Sequence, residues 1–223
     1  MLLPTMPSIS TQTDAEIVGR AGAGERAAYT ILMKRYNQRL FRVAWAVTKS
    51  RAEAEDVVQE SWVVAFQRLD QVVDRSRFGA WLTRVVVNEA LRRRRIDRRH
   101  EELGEDEEAQ PMSDEDSPEK LAAQSELRPV LERALMSLPE SLRTVFVLRE
   151  VEGMSVADVA AALSIAEGTV KTRAFRAREL LRHRISNWSD SAMHGVLQFA
   201  GDRCTELAAR VLSRLKIPSH ERD

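Results

Sequence analysis

Cysteine is nearly absent: Cys204 is the only one in 223 residues. That excludes an intramolecular disulfide framework and any multi-cysteine zinc site, and it suits a reducing compartment. Aromatic residues make up only 5% of the chain while charged residues make up 30%, a balance that favours several small helical cores over one large sandwich or barrel. Long apolar runs are missing too. Residues 62–66 and 85–87 are among the longest, far short of the roughly 18 needed to span a bilayer. Residues 1–10 lack a basic start and a long apolar centre, so they do not read as a secretion signal. These absences point to a soluble, cytoplasmic protein with no membrane insertion.

Net charge is also lacking, with 34 Lys and Arg balancing 34 Asp and Glu, but the balance hides an uneven distribution. Residues 1–100 hold 18 basic against 11 acidic side chains, residues 101–126 hold 1 against 11, and residues 127–223 hold 15 against 12. Two basic halves therefore flank an acidic strip, and each half can face a polyanion. The strip is rich in Glu, Asp and Pro and poor in large apolar residues, so it cannot bury enough surface to offset its ordering entropy. It reads as a flexible linker.

Apolar spacing elsewhere is helical, with no sustained period of two. The expected fold is all-α: two helical domains joined by the acidic linker, plus a helical C-terminal extension. The expected boundaries are 1–12 for a disordered N-terminus, 13–99 for a first bundle and 100–117 for the linker. A second domain then covers 118–186, and the extension covers 187–223. Within the first bundle, a short helix starts near Asp14 and others cover about 25–49, 52–69 and 78–99. Leu32, Tyr36, Leu40, Val43 and Val47 form one apolar stripe, and Ala54, Val57, Val58, Trp62 and Phe66 form another.

In the second half, Pro139 marks a boundary and can open a helix over about 140–151 at its first turn. Ser155-Val-Ala-Asp158 has the form of a capping box for a short helix ending at Leu163. Ser164-Ile165-Ala166 links it to a longer, basic helix over about 167–184. Two helices joined so tightly, the second basic, form the signature of a helix-turn-helix. On that second helix Val170, Ala174, Ala177 and Leu181 share a buried stripe, leaving Lys171, Thr172, Phe175, Arg176 and Arg182 on the opposite side. Lysine and arginine there can bond phosphates or guanine edges, and threonine can contact backbone or base. Phe175 also fits a core position. A second basic cluster comprises Arg77, Arg84, Arg92 to Arg95, Arg98 and Arg99, with Phe78, Trp81 and Leu82 spaced for packing near its start. Trp81 reads as core, and Asn88 as a polar group able to pair a base edge.

Several stretches of the chain are familiar in combination. They are Ala52-Glu-Ala-Glu-Asp-Val-Val-Gln-Glu60, Phe78-Gly-Ala-Trp-Leu82 followed by Asn88, Ser137-Leu-Pro139, Leu148-Arg-Glu-Val-Glu-Gly153, and Gly168-Thr-Val-Lys-Thr-Arg173 followed by Arg176-Ala-Arg178. In order and spacing they resemble the extracytoplasmic-function group of bacterial sigma factors, over about residues 14–184. The resemblance implies a non-enzymatic initiation factor that needs no cofactor or metal and binds core RNA polymerase and promoter DNA. It also implies regulation by an anti-sigma factor. Region 2 of such factors docks on the clamp of the largest polymerase subunit, which assigns Asp56, Gln59 and Glu60. Residues 69–77 resemble the loop that captures a flipped base of the −10 element, with Arg77, Arg84, Asn88 and Arg92 on the melting strand. Region 4 reads the −35 duplex, which assigns Arg149, Lys171, Thr172, Phe175 and Arg176. The family commonly has serine where Thr172 stands.

Other readings remain open on the residues alone. A helix-turn-helix regulator would need an effector domain upstream, where this chain has a helical bundle. A nucleic-acid enzyme would need an acidic metal cluster or nucleophile in a folded pocket, whereas the dense acids here lie in the linker. After Gly201-Asp202, Cys204, Leu207, Ala208, Val211, Leu212 and Leu215 form an apolar stripe. It fits either an extra element packed on the second domain or a regulatory tail.

Overall fold

The computed structural model describes residues 12–102, 127–185 and 202–215, all helical or in the turns between helices. Most of the expected N-terminal tail and acidic linker, and the apolar residues Met193, Val196, Leu197 and Phe199, lie outside the described residues. Among the described residues no helix is long and apolar enough to cross a membrane.

Helix α1 (Asp14–Gly22) opens on a complete capping box. The Thr13 hydroxyl accepts from the Glu16 amide at 3.3 Å, and the Glu16 carboxylate accepts from the Thr13 amide at 2.7 Å. Helix α2 (Arg26–Thr48) ends where Lys49 turns left-handed at φ 63°. Helix α3 (Arg51–Gln67) begins at Ser50, whose hydroxyl accepts from the Glu53 amide. Two short 3₁₀ turns, Leu69–Gln71 and Arg75–Arg77, lead into α4 (Phe78–Glu102). Both expected stripes face inward, and Trp62, Phe41, Phe78, Leu32 and Leu40 have no exposed surface. Gly79 lets α4 approach α2: a Cβ there would come within 2.8 Å of the Tyr36 ring. Buried Asn37 accepts from the Trp62 indole N–H at 2.6 Å, which fixes the central tryptophan.

The second unit contains α5 (Leu127–Met136), α6 (Glu140–Phe146), α7 (Val156–Leu163) and α8 (Glu167–Arg184). Pro139 sits at the N-cap of α6 rather than in its first turn. From Phe146 the chain continues as a π-helical turn over Val147–Val151, an irregularity the sequence pattern does not announce. Gly153 then turns at φ 63°, a conformation that favours glycine. At the start of α7 only half of the expected capping box forms. Ser155 accepts from the Asp158 amide at 3.0 Å, but the Asp158 carboxylate takes the Ser155 hydroxyl rather than its backbone N–H. Ser164 is left-handed, at φ 53°, and sets the tight link to α8.

The two units pack together, with α6 against α2 and α7 against α4. Arg143 is fully buried in this seam and donates to the carbonyls of Ala46 and Leu138. Helix α9 (Asp202–Arg214) packs on α3 and α2. The tail helix thus sits on the first unit rather than on the helix-turn-helix unit, where the extra-element reading put it.

Candidate nucleic-acid interface

Burial sorts α8 into two faces. Val170, Ala174, Ala177 and Leu181 are buried, while Lys171, Thr172, Phe175 and Arg176 are exposed. Phe175 is 60% exposed, which removes the core reading and leaves an aromatic ring standing in water beside two cations. The Thr172 hydroxyl is bonded to the Gly168 carbonyl one turn back at 2.9 Å, so it must turn away before it can meet a base or phosphate. Arg182 is exposed as well and pairs with Glu179 at 3.0 Å. Arg149 lies apart from this face, on the π-helical turn. Its guanidinium donates to the Met154 carbonyl and braces the turn that leads into α7.

The second basic surface runs along α4. Trp81, Arg84, Asn88 and Arg92 follow one another at spacings of three, four and four, which puts them on one face of the helix, and Arg77, in the turn just before α4, lies four residues ahead of Trp81. Arg84, Asn88 and Arg92 are exposed. Arg92 is held by Glu89 at 2.6 Å, and Arg93 reaches the same carboxylate at 3.4 Å. Burial works to raise the Glu89 carboxyl, but hydrogen bonds and charge from Arg92 and Arg93 outweigh it and leave it below the usual carboxylate range. The Leu69–Gln71 turn and the residues after it rise beside this face. Asp74 accepts from the Ser76 amide at 3.0 Å, and Val73 next to it is 99% exposed.

Between that loop, α4 and α7 lies an open cleft of about 300 Å³, whose lining includes Val73, Arg77, Trp81, Arg84 and Asp158. Trp81 is half-buried: it packs against the core beside Phe78, with ring centroids 5.8 Å apart, as its spacing implies, and its outer side forms part of the cleft wall. Arg77 bonds Asp158 of α7 across the mouth. The α4 stripe is thus partly covered by the second unit, whereas the α8 face is open.

Family comparison separates the two surfaces. Residues 32–100 match the sigma-70 region 2 model, and residues 129–181 match the sigma-70 region 4 model. The chain is 35% identical to the ECF RNA polymerase sigma-E factor of Haemophilus influenzae over 183 residues, 78% of this chain and 95% of that protein. It is 30% identical to the RNA polymerase sigma-H factor of Pseudomonas aeruginosa over 181 residues, 78% of this chain and 94% of that one. The chain is a sigma factor of the extracytoplasmic-function group. Two solved structures agree. The sigma factor RpoE from Bartonella quintana, in complex with the anti-sigma factor NepR, aligns with a TM-score of 0.55 at 26% identity over 66% of this chain and 90% of that one. CnrH, in complex with the cytosolic domain of CnrY, aligns with a TM-score of 0.52 at 28% identity over 77% of this chain and 96% of that one.

Such a factor directs RNA polymerase to promoters and is not itself an enzyme. In this sigma factor the region 2 match spans most of α2, all of α3, the α3–α4 loop and most of α4, and the region 4 match runs from within α5 to within α8. On α3, Asp56 is 62% exposed at its side chain and lies 3.7 Å from Arg93, while Gln59 and Glu60 are half-buried one turn further on. Glu60 accepts from Arg214 of α9 at 2.7 Å. Three features escaped sequence reasoning: Trp81 in the cleft wall, Asp158 as the partner of Arg77, and the cover over Glu60. The spacing of 81 with 77, 84 and 88 was the one signal that could have found Trp81. The other two are contacts between residues far apart in the chain, which periodicity does not encode.

Proposed function

We propose that this sigma factor binds the −10 element with the α4 stripe and the adjoining loop, and reads the −35 duplex with the exposed face of α8. The observation that carries this is the pair of continuous basic faces on two separate units, each with an aromatic ring at its surface. On α8, Lys171 and Arg176 bond phosphates or base edges, Thr172 contributes its hydroxyl, and Phe175 makes apolar contact with a sugar or a thymine methyl. Arg149 belongs to the same reading, and it first has to release the Met154 carbonyl. Arg77 in the turn before α4 and Arg84, Asn88 and Arg92 on it hold the melting strand. Flipping a base costs a few kcal/mol of unstacking, and the cleft beside Trp81 offers an extruded base a place to stack. Strand opening of this kind needs no covalent step, catalytic residue, metal or cofactor.

Core polymerase docks on Asp56, Gln59 and Glu60 of α3. Each unit alone neutralises only a handful of phosphates, so binding by the free protein falls in the non-specific range of ~10⁻⁴–10⁻⁶ M at physiological salt. Polymerase fixes the separation of the two units and makes the second contact intramolecular. The −10 stripe must also leave α7, which opens the Arg77–Asp158 pair. An anti-sigma factor is a fitting regulator, since the structural relative from Bartonella quintana was captured with the anti-sigma factor NepR, and the cytoplasm is the compartment where these contacts are made.

Mapping transcript starts after induced expression tests this reading. A shared pair of upstream elements is expected at the induced starts, and it should be lost when Lys171 and Arg176 are both changed to alanine. Induced starts with no shared elements, or starts indifferent to the double variant, would overturn it.

A further inference from the structure

Helix α9 lies beyond the region 4 match, which ends at residue 181, yet it is seated on region 2. Its apolar residues recur at positions 204, 207, 208, 211, 212 and 215, one face of a helix. Leu207 and Val211 are fully buried on that face and Leu212 nearly so. Its outer edge is fixed by Arg214 bonding Glu60 of α3 at 2.7 Å. At its other end the Asn37 amide donates to the Cys204 sulfur at 3.1 Å. Glu60 belongs to the set assigned to polymerase docking, so the helix and the enzyme compete for one surface.

We infer that α9 is a built-in cover for the polymerase-docking face of α3, and that it must leave before core polymerase binds. The inference rests on the reading of Asp56, Gln59 and Glu60 as docking residues. An amphipathic helix laid in a groove is a common recognition mode, and here the chain supplies its own. The cover suits reversible use. At 13 residues, α9 falls in the range of roughly 12–15 where an isolated helix is marginal in water, so its order depends on this seat. If the cover leaves about a tenth of molecules open, apparent affinity for polymerase is reduced about tenfold.

The test uses the full chain. Leu207→Glu with Val211→Glu dislodges the apolar face, and Arg214→Glu, on a partly exposed side chain, sets like charges against each other without touching the core. Affinity for core polymerase should rise about tenfold in the double variant and less in Arg214→Glu. Cys204, the sole cysteine, serves as a reporter. In the wild-type protein it should react with a thiol reagent slowly when free and faster in the holoenzyme. Folded variants with unchanged or weaker affinity, or a Cys204 equally protected in the holoenzyme, would overturn the proposal. Asp56→Arg in the α9-dislodged chain separates the two readings. If it weakens polymerase binding while the α9 variants change nothing, the docking face stands and the cover falls. If it leaves binding intact, the docking assignment itself falls, and the cover with it.

Discussion

Arg143 shows how much one side chain can decide. It is fully buried and donates to the Leu138 carbonyl at 2.8 Å and to the Ala46 carbonyl near the end of α2. The last carbonyls of a helix have no intrahelical partner and carry its negative end, so a guanidinium from the other unit satisfies them and ties the units together. Burial pushes its pKa down to about 10, with Glu140 opposing and Arg94 adding to the fall. The folded state therefore holds this proton less tightly than the unfolded chain, yet the group stays charged at neutral pH. Arg143→Ala leaves buried carbonyls unpaired and should cost about 3 kcal/mol, read as a lower urea midpoint; an unchanged midpoint would contradict the account. Phe175 is the opposite case. Because it is mostly exposed, Phe175→Ala should shift stability by less than about 0.5 kcal/mol while reducing promoter-directed transcription, and a loss of stability matching the loss of transcription would place it in the core after all.

Helix α4 carries a restraint on its own function. Glu89 occupies Arg92 and Arg93, two cations on or near the proposed −10 stripe. Its folded pKa is lowered from 4.5, so the stability it adds is present above that value and is lost as pH falls through the lower, folded-state value. Glu89→Gln should therefore flatten the acid limb of the stability curve, and it should raise the free protein's affinity for single-stranded DNA by releasing Arg92. Acid unfolding identical in the two proteins would show that the pair contributes nothing. At α7, Ser155→Ala removes the cap on the Asp158 amide and should cost about 1 kcal/mol in thermal unfolding. The helices were legible in the sequence where a one-sided apolar stripe meets the helical period, as with Val170, Ala174, Ala177 and Leu181 on α8. The residues on the open side of that stripe were legible for the same reason. The π-helical turn at Val147–Val151 was not, since an i→i+5 bond leaves no periodic mark. Arg143 was not either, because a lone arginine reads as surface until its carbonyl partners, distant in sequence, are in place.

Across the whole molecule, ion pairs line the seam between the two units. Arg42 and Arg39 meet Glu152, Arg77 meets Asp158, Arg94 meets Glu140 at 3.9 Å, and Arg51 meets Glu132 at 4.0 Å. In each case the first unit supplies the cation and the second the anion. Exposed pairs such as Arg77–Asp158 are worth about 0–1 kcal/mol each and weaken with salt. Glu152 is different, with its side chain only 5% exposed. Glu152→Gln should loosen the closed arrangement, seen as a larger radius of gyration in solution scattering that grows further as salt rises; an unchanged radius would mean the apolar seam alone holds it. A seam of this kind partly covers the proposed −10 stripe at the Arg77–Asp158 pair, and on the proposed reading polymerase separates the units. The most direct check is transcription in a purified system on one mapped promoter. Core polymerase alone should be silent, this protein alone should bind the promoter no better than unrelated DNA, and the two together should initiate at the mapped start. Tight promoter binding without polymerase, or no initiation by the pair, would contradict the account.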